Sequence, residues 1–280
     1  MAVATTGSET RRTVAGVDLQ VFSGGQGEPL LVLHDHEYVN QWEPFAEALA
    51  AHFAVVAPSH PGYGGSDLPR DFDTIDDFAY LYLDLLRELG PQPVNLVGMG
   101  VGGWVAAELA VRCTHHLKRL VLVDAVGIKV SDRTTRDIAD TFVVPPQELL
   151  ALTWHDPDAG ARIMKLPGLA TYSEQELVVI LRGRQTTALY SWNPFMHNPY
   201  LRRRLARIDV PTLVLWGESD RVVTPEYGRT YADSIPGARF QTIPAAGHYP
   251  HLEQPEAFAA AVAGFLREGQ MATAPRGTER

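Results

Sequence analysis

The chain has 280 residues, 45% hydrophobic and 20% charged, which suffices for a large buried core in one α/β domain, with or without an insertion. The formal charge of -9 argues against nucleic acid as a partner, and the single cysteine, Cys113, excludes an internal disulfide. No apolar run approaches membrane-spanning length and the polar N-terminus has no signal-like segment, so we expect a cytoplasmic protein without a membrane partner.

Short apolar runs alternate with amphipathic segments along most of the chain, which is typical of βα units around a mostly parallel sheet. The pattern predicts strands over 17–22, 30–33, 54–57, 94–97, 120–123, 212–216 and 240–243. It predicts helices over 42–51, 74–89, 104–112 and 255–266, and one that begins at Thr224-Pro225. Residues 1–10 and 269–280 are small and polar and are predicted to be flexible tails.

The alternation of strand and helix patterns stops between residues 127 and 208. This stretch has helical patterns, broken by proline pairs and turns, and no convincing core strand. A capping box, Ser173 with Glu176, predicts the start of one of its helices. We therefore expect a helical cap over 127–208, inserted into a sheet domain made of 11–126 and 209–268.

The segment from Asn95 to Trp104 is the most informative one in the chain. A short apolar strand breaks at Gly98, Gly100 and Gly102 and passes at once into a helix. This is the context of the nucleophile elbow, G-x-S-x-G, whose central side chain stands at the helix N-terminus above the sheet. Here the central position is Gly100, so the elbow has no nucleophilic side chain of its own.

Three loops that follow predicted strands carry polar side chains. They are His34-Asp35-His36-Glu37, Gly217-Glu218-Ser219-Asp220 and Gly247-His248-Tyr249-Pro250-His251. Open α/β sheets bind ligands at the carboxyl ends of their strands, which is where these loops are expected. Together with the elbow they follow the order nucleophile, acid, histidine. Asp124, at the end of another strand, is an alternative acid, although a cap of the next turn is the favoured interpretation.

These motifs resemble those of the α/β-hydrolase fold superfamily over residues 13–268. The matching pieces are Leu33-His34, Pro61-Gly62-Tyr63-Gly64-Gly65-Ser66, Val97–Gly103, Leu215–Asp220 and Ala246-Gly247-His248. Asn193-Pro194, followed by Leu201–Leu205 and Ile208, resembles the cap exit of the hydrolases that cleave carbon–carbon bonds in aromatic ring-cleavage pathways. The resemblance implies a mostly parallel sheet flanked by helices, with an inserted α-helical cap.

The resemblance also implies roles for individual residues. Asp220 would be the triad acid and His248 the base, with Gly100 a vacant nucleophile position. The oxyanion hole would be formed by the backbone N–H groups of His36 and Val101. Asp35 stands where the family usually has a glycine.

Further candidates are less specific. Contacts with the substrate are predicted for Met99, Tyr190, Trp192 and Arg182. A cofactor is not expected, but the imidazole and carboxylate groups of the first loop and its neighbour suggest a tentative metal site. Its ligands would be His34, His36, Glu37 and His60.

The functional prediction is an enzyme that acts on a small ester, lactone or diketone-like substrate by His-Asp general-base catalysis without a serine nucleophile. Two alternatives stay open: an inactive small-ligand-binding protein of the same fold, and a metal-dependent hydrolase. A small molecule is the expected partner, and a homodimer is compatible with the sequence.

Overall fold

A computed structural model describes residues 7–36, 42, 44–164 and 172–268. Its sheet has eight strands in the order β1-β2-β4-β3-β5-β6-β7-β8, of which β1 and β2 are antiparallel to their neighbours and the rest are parallel. The strands are β1 Ser8–Val14, β2 Val17–Gly24, β3 Glu28–Leu33, β4 Phe53–Pro58, β5 Val94–Met99, β6 Leu117–Val123, β7 Thr212–Gly217 and β8 Arg239–Ile243. The predicted α/β-hydrolase fold is confirmed.

Helices cover both faces of the sheet. They are α1 Pro44–Ala50, α2 Ile75–Glu88, α3 Val101–Arg112, α4 Pro146–Thr153, α5 Pro157–Ile163, α6 Glu174–Ser191, α7 Leu201–Arg204, α8 Pro225–Asp233, α9 Pro250–Glu253 and α10 Pro255–Leu266. A short 3-10 helix, Leu205–Arg207, follows α7. The helix α2 begins where the sequence predicts, because Thr74 and Asp77 form a reciprocal capping box.

The core lies in two layers, one on each side of the sheet. The first packs α2, α3 and α8 against the sheet, and the second packs α1 and α10 against its other face. Every residue of β5 and of β7 is buried, since central parallel strands are covered on both faces. These two strands therefore hold the following loops on a rigid base.

The N-terminal boundary differs from the prediction. Residues 8–10, expected in a flexible tail, belong to β1, which pairs with β2 through seven residues. The side chains of β1 are mostly exposed, so the apolar pattern that marks the other strands is missing there. The described residues between β6 and β7 form helices joined by loops, beginning with a loop over 124–145, and one isolated bridge pairs Gly127 with His197.

The helix α6 of this inserted segment lies over the turn that follows β4. The hydroxyl group of Thr186 donates to the carbonyl oxygen of Gly62 at 3.0 Å, and the hydroxyls of Tyr63 and Thr187 are 2.7 Å apart. In the described part of the chain, none of the helices is both long and apolar enough to span a membrane.

Candidate active site

The elbow lies between β5 and α3, as its glycine spacing indicates. Gly100 has φ of 51° and ψ of -114°, and it precedes the first residue of α3. A positive φ of this kind strains residues with a side chain, whereas glycine adopts it freely. The backbone therefore keeps the conformation of a nucleophile elbow although it carries no nucleophile.

The carboxylate of Asp35 occupies the nucleophile position. A Cβ atom built on Gly100 would overlap this carboxylate. Oδ1 of Asp35 accepts a hydrogen bond from the backbone N–H of Val101 at 2.8 Å, and a second from Nδ1 of His36 at 2.8 Å. The nucleophile position is therefore not vacant, and the N–H of Val101, the predicted oxyanion donor, donates to a carboxylate 66 residues away in sequence.

His248 lies between two carboxylates. Its Nδ1 donates to Oδ2 of Asp220 at 2.8 Å, and its Nε2 lies 3.5 Å from Oδ2 of Asp35. The second distance is longer than a normal hydrogen bond of this type, so this contact is an ion pair. Asp35, Asp220 and His248 are 3%, 2% and 3% exposed, so water screens these charges weakly.

The backbone of the surrounding loops holds this arrangement in place. Oδ1 of Asp220 accepts from the N–H groups of Val222 and Val223, at 2.8 and 3.2 Å. The N–H of His248 donates to the carbonyl oxygen of Thr153, at the end of α4, at 2.7 Å. The inserted segment between β6 and β7 thus contacts the backbone of His248 directly.

The charges assign a protonation state to the resting site. Burial lowers the pKa of His248, but the charge and hydrogen bond of Asp220, and the contact with Asp35, raise it well above its usual range. Burial raises the pKa of Asp35, yet His36 and His248 bring it well below its usual range. These directions favour an imidazolium ion at His248 beside an ionised Asp35.

Asp124 is a third carboxyl group at this site, and its proximity to Asp220 was not predicted. It follows β6 with φ of 42°, and its Oδ1 accepts from the N–H of Gly217 at 2.8 Å. Burial and the neighbouring charge of Asp220 raise the pKa of Asp124 well above its usual range. The raised pKa favours the protonated form of this carboxyl group, so Asp124 is more than the turn cap that its sequence context suggests.

We expect Asp124→Asn to gain stability relative to the parent as the pH rises. The unfolded chain ionises Asp124 near its usual pKa of 3.8, while the folded protein keeps the proton, so rising pH favours unfolding of the parent. Asparagine does not ionise, so this pH dependence is absent from the variant. Thermal unfolding of both proteins between about pH 5 and pH 8 measures this; a melting-temperature difference that stays constant over that range contradicts it.

Two of the four side chains of the tentative metal site, His34 and His60, are engaged in other hydrogen bonds. Burial lowers the pKa of His34 to about 4; its neutral ring donates from Nδ1 to the carbonyl oxygen of Asp35 and accepts at Nε2 from the N–H of His60. The ring of His60 bonds to the hydroxyl of Tyr82 at 2.6 Å and to the carbonyl oxygen of His34 at 2.9 Å. Glu37 lies outside the described residues. His34 and His60 thus stabilise the loop and leave no ring nitrogen for a metal.

A different group, Asp124, Asp220 and His248, has ligand-type atoms within 4.8 Å of one another. The hydrogen bond from Nδ1 of His248 to Asp220 accounts for one of these contacts, and the raised pKa of Asp124 favours a neutral carboxyl group beside Asp220. No metal is needed to explain the cluster.

The predicted substrate contacts are not brought together at the dyad. Met99 belongs to the apolar layer under α1 and α10, and Arg182 donates to the carbonyl oxygens of Gly64 and Ser66 at 3.0 and 2.7 Å. Tyr190 packs edge-to-face on Phe78. Trp192 is 52% exposed and lies against Phe142 and Phe195. Met99 and Arg182 have structural roles, and the substrate contacts of all four side chains stay predictions.

The sheet order, the helical segment between β6 and β7, and the buried Asp–His pair beside an elbow define a protein of the α/β-hydrolase class. A family model described as "Alpha/beta hydrolase family" matches residues 30–261, and the chain belongs to this family.

Relatives with named activities are similar over most of their length. The chain is 28% identical to 2-hydroxymuconate semialdehyde hydrolase of Pseudomonas putida, covering 91% of this chain and 92% of the relative. It is 25% identical to 2-hydroxy-6-oxo-6-(2'-aminophenyl)hexa-2,4-dienoic acid hydrolase of Metapseudomonas resinovorans, covering 90% and 88%. The crystal structure of the enol-lactonase from Burkholderia xenovorans LB400 is similar with a TM-score of 0.67 and 26% identity, covering 92% and 100%. The predicted similarity to carbon–carbon bond hydrolases is confirmed.

Proposed function

We propose that this protein hydrolyses a small organic substrate, and that the His248–Asp220 dyad transfers the protons without a serine nucleophile. The observation that carries this proposal is the position of His248. Its Nδ1 is held by Asp220 at 2.8 Å, while its Nε2 is directed at the elbow, 3.5 Å from Asp35. A histidine held in this way by a carboxylate is fixed in orientation, and its second nitrogen faces the place where the substrate reacts.

The dyad supplies general acid–base catalysis. A positioned histidine typically contributes roughly 10²- to 10⁴-fold to a rate by this means. In the resting site His248 is protonated, so it acts first as an acid or by stabilising negative charge. It can act as a base once the negative charge beside it has decreased, because its pKa then falls. The buried position of all three side chains strengthens these interactions, because little water competes for them.

The substrate classes to test come from the names of the relatives and of the similar structure. These proteins are named as hydrolases of a semialdehyde and a dienoic acid and as an enol-lactonase. Small esters, lactones and diketone-like compounds are therefore the first candidates for this chain. The absence of a side chain at Gly100 means that no acyl-enzyme forms at the elbow itself.

The test is a hydrolysis assay with a panel of activated esters, an enol-lactone, a vinylogous diketone, a haloalkane and an epoxide. We expect turnover of at least one class, and we expect it to resist fluorophosphonate probes, which label activated serine residues. Inactivation by such a probe, with a modified serine identified by mass spectrometry, would contradict the proposal.

A ligand-binding protein without turnover is the second candidate. One observation favours it: Asp35 occupies both the nucleophile position and the N–H of Val101, which a carbonyl substrate of this family would use. Calorimetric titration with the same panel distinguishes the two. Saturable binding of a compound that the protein leaves unchanged over many hours supports the binding function and excludes the hydrolase.

A further inference from the structure

We propose that Asp35 is a covalent nucleophile, whose Oδ2 attacks a saturated carbon bearing a leaving group, and that the His248–Asp220 dyad then directs water onto the resulting Asp35 ester. This assignment rests on the function proposed above, and it names the substrate class. The electrophile is a small molecule with a carbon–halogen bond, an epoxide or a strained lactone ring.

The position of the carboxylate is the first observation. It overlaps the place where a side chain on Gly100 would begin, so it lies where this fold presents its attacking atom. Oδ1 is fixed by the N–H of Val101 and the ring of His36, which orients the group. Oδ2 makes no hydrogen bond in the described part of the chain and lies 3.5 Å from Nε2 of His248. An oriented, desolvated oxygen with a free lone pair is suited to attack.

The hydrogen bonds to Oδ1 decide the type of carbon that is attacked. Attack on an ester carbonyl would place a negative charge on a substrate oxygen, and the N–H of Val101 that stabilises such a charge is already bonded to Asp35. Displacement at a saturated carbon creates no such oxyanion. The arrangement therefore favours an alkyl electrophile over an acyl one.

The same two donors suit the second half of the reaction. Once Oδ2 carries the alkyl group, Oδ1 becomes the carbonyl oxygen of an ester. Water that attacks Cγ of Asp35 moves negative charge onto Oδ1, which already accepts from Val101 and His36 at 2.8 Å each. Because both donors already bond to Asp35, they are not available to a substrate carbonyl. They are placed to stabilise the negative charge that forms on Oδ1 when water attacks an Asp35 ester.

The steps balance in atoms, charge and protons. In the first, a lone pair of Oδ2 forms the carbon–oxygen bond and the leaving group departs with its electron pair. A leaving halide stays an anion while His248 gives its proton to solvent; a leaving oxygen takes that proton itself. In the second, His248 accepts a proton from the attacking water and passes it to the departing alcohol oxygen. The Asp35 carboxyl group then returns a proton to His248. The sum is R–X plus water giving R–OH plus H–X.

Loss of the charge on Asp35 links the two steps. Two carboxylates flank His248 in the resting site and keep its ring protonated. Esterification neutralises one of them, so the pKa of His248 falls and the ring can release its proton. The histidine therefore becomes a base when the ester that needs hydrolysis is present.

The decisive experiment is a single turnover in water enriched in heavy oxygen, with enzyme in excess over 1-iodobutane, styrene oxide or β-butyrolactone. The alcohol formed takes Oδ2 from the protein, and water replaces it. We expect light oxygen in the product and one heavy oxygen in the peptide that contains Asp35. The other aspartates, such as exposed Asp67, serve as internal controls. The three probes distinguish halide, epoxide and lactone as the source of the electrophile.

A trapping experiment supports the labelling result independently of turnover. In His248→Gln, water is no longer activated, so the alkyl group should remain on Asp35 at close to one equivalent per protein. Asp35→Asn, which keeps the shape and the hydrogen bond from Val101, should carry no adduct.

Three results overturn the assignment. Turnover that depends on His248 but places the heavy oxygen in the alcohol shows direct attack by water, which leaves the proposed function intact. Turnover confined to acyl substrates, with Asp35 unlabelled, also shows that Asp35 is not a nucleophile. The proposed hydrolase function stands in that case. No turnover in the parent and no adduct in His248→Gln removes the nucleophile and the proposed function together.

Discussion

Replacing His248 with alanine is expected to lower turnover of any substrate of this protein by roughly two to four orders of magnitude, the usual contribution of a positioned acid–base group. His248 is the group that contacts both Asp220 and Asp35, so its loss removes proton transfer and leaves two buried carboxylates facing each other. The measurement is kcat and KM for the best substrate of the panel.

Two further variants make the result specific. Asp220→Asn keeps the side-chain shape but no longer fixes the tautomer of His248, and we expect a similarly large fall in kcat with little change in KM. His115→Ala removes an exposed histidine in the turn after α3 and serves as the matched control. If His248→Ala retains the parent kcat while it stays folded by circular dichroism, the dyad has no part in the chemistry.

Gly100→Ser is expected to destabilise the protein and to yield little esterase activity. A serine there must adopt a positive φ, which costs on the order of 1–3 kcal/mol, and its Cβ would overlap the carboxylate of Asp35. The hydroxyl would also find the N–H of Val101 already bonded to Asp35. Chemical denaturation and p-nitrophenyl acetate hydrolysis measure the two effects.

The double variant Asp35→Gly with Gly100→Ser is expected to recover part of the lost stability and to hydrolyse p-nitrophenyl acetate with a burst. Removal of the Asp35 carboxylate frees the N–H of Val101 for an oxyanion and leaves room for the serine side chain beside His248. Asp35→Gly alone is the control and should show no burst. Strictly additive stability effects in the double-mutant cycle would show that the two positions do not share one space.

The elbow can be predicted from the sequence, whereas the side chain that contacts it can be identified only in the folded protein. The glycine spacing at 98, 100 and 102 predicts a strand–turn–helix, and the structure has this turn with φ of 51° at Gly100. Such a motif is local, because its geometry depends on residues within one turn of chain. The space above Gly100 is filled by Asp35, which follows β3 and is distant from Gly100 in sequence.

Two clusters of titratable residues illustrate the same limit. His34 and His60 look like metal ligands in sequence, but each ring nitrogen bonds to a backbone or tyrosine group that lies close only in the folded chain. Asp124 looks like a turn cap, yet its carboxyl group adjoins that of Asp220, which follows the neighbouring strand β7. The side-chain partners of a titratable group are long-range contacts, which periodicity does not encode.

The sequence by itself determined the fold class, most of the strands and helices, the elbow with its missing nucleophile, and the order of the polar loops. It could do so because burial imposes a repeating apolar pattern on each element and because glycine marks tight turns. Only the tertiary structure decided that the Asp35 carboxylate takes the place above Gly100, between Val101 and His248. The strands β3 and β5 are neighbours in the sheet, and their parallel pairing brings the ends of both to one edge, where a side chain from the first reaches the turn after the second.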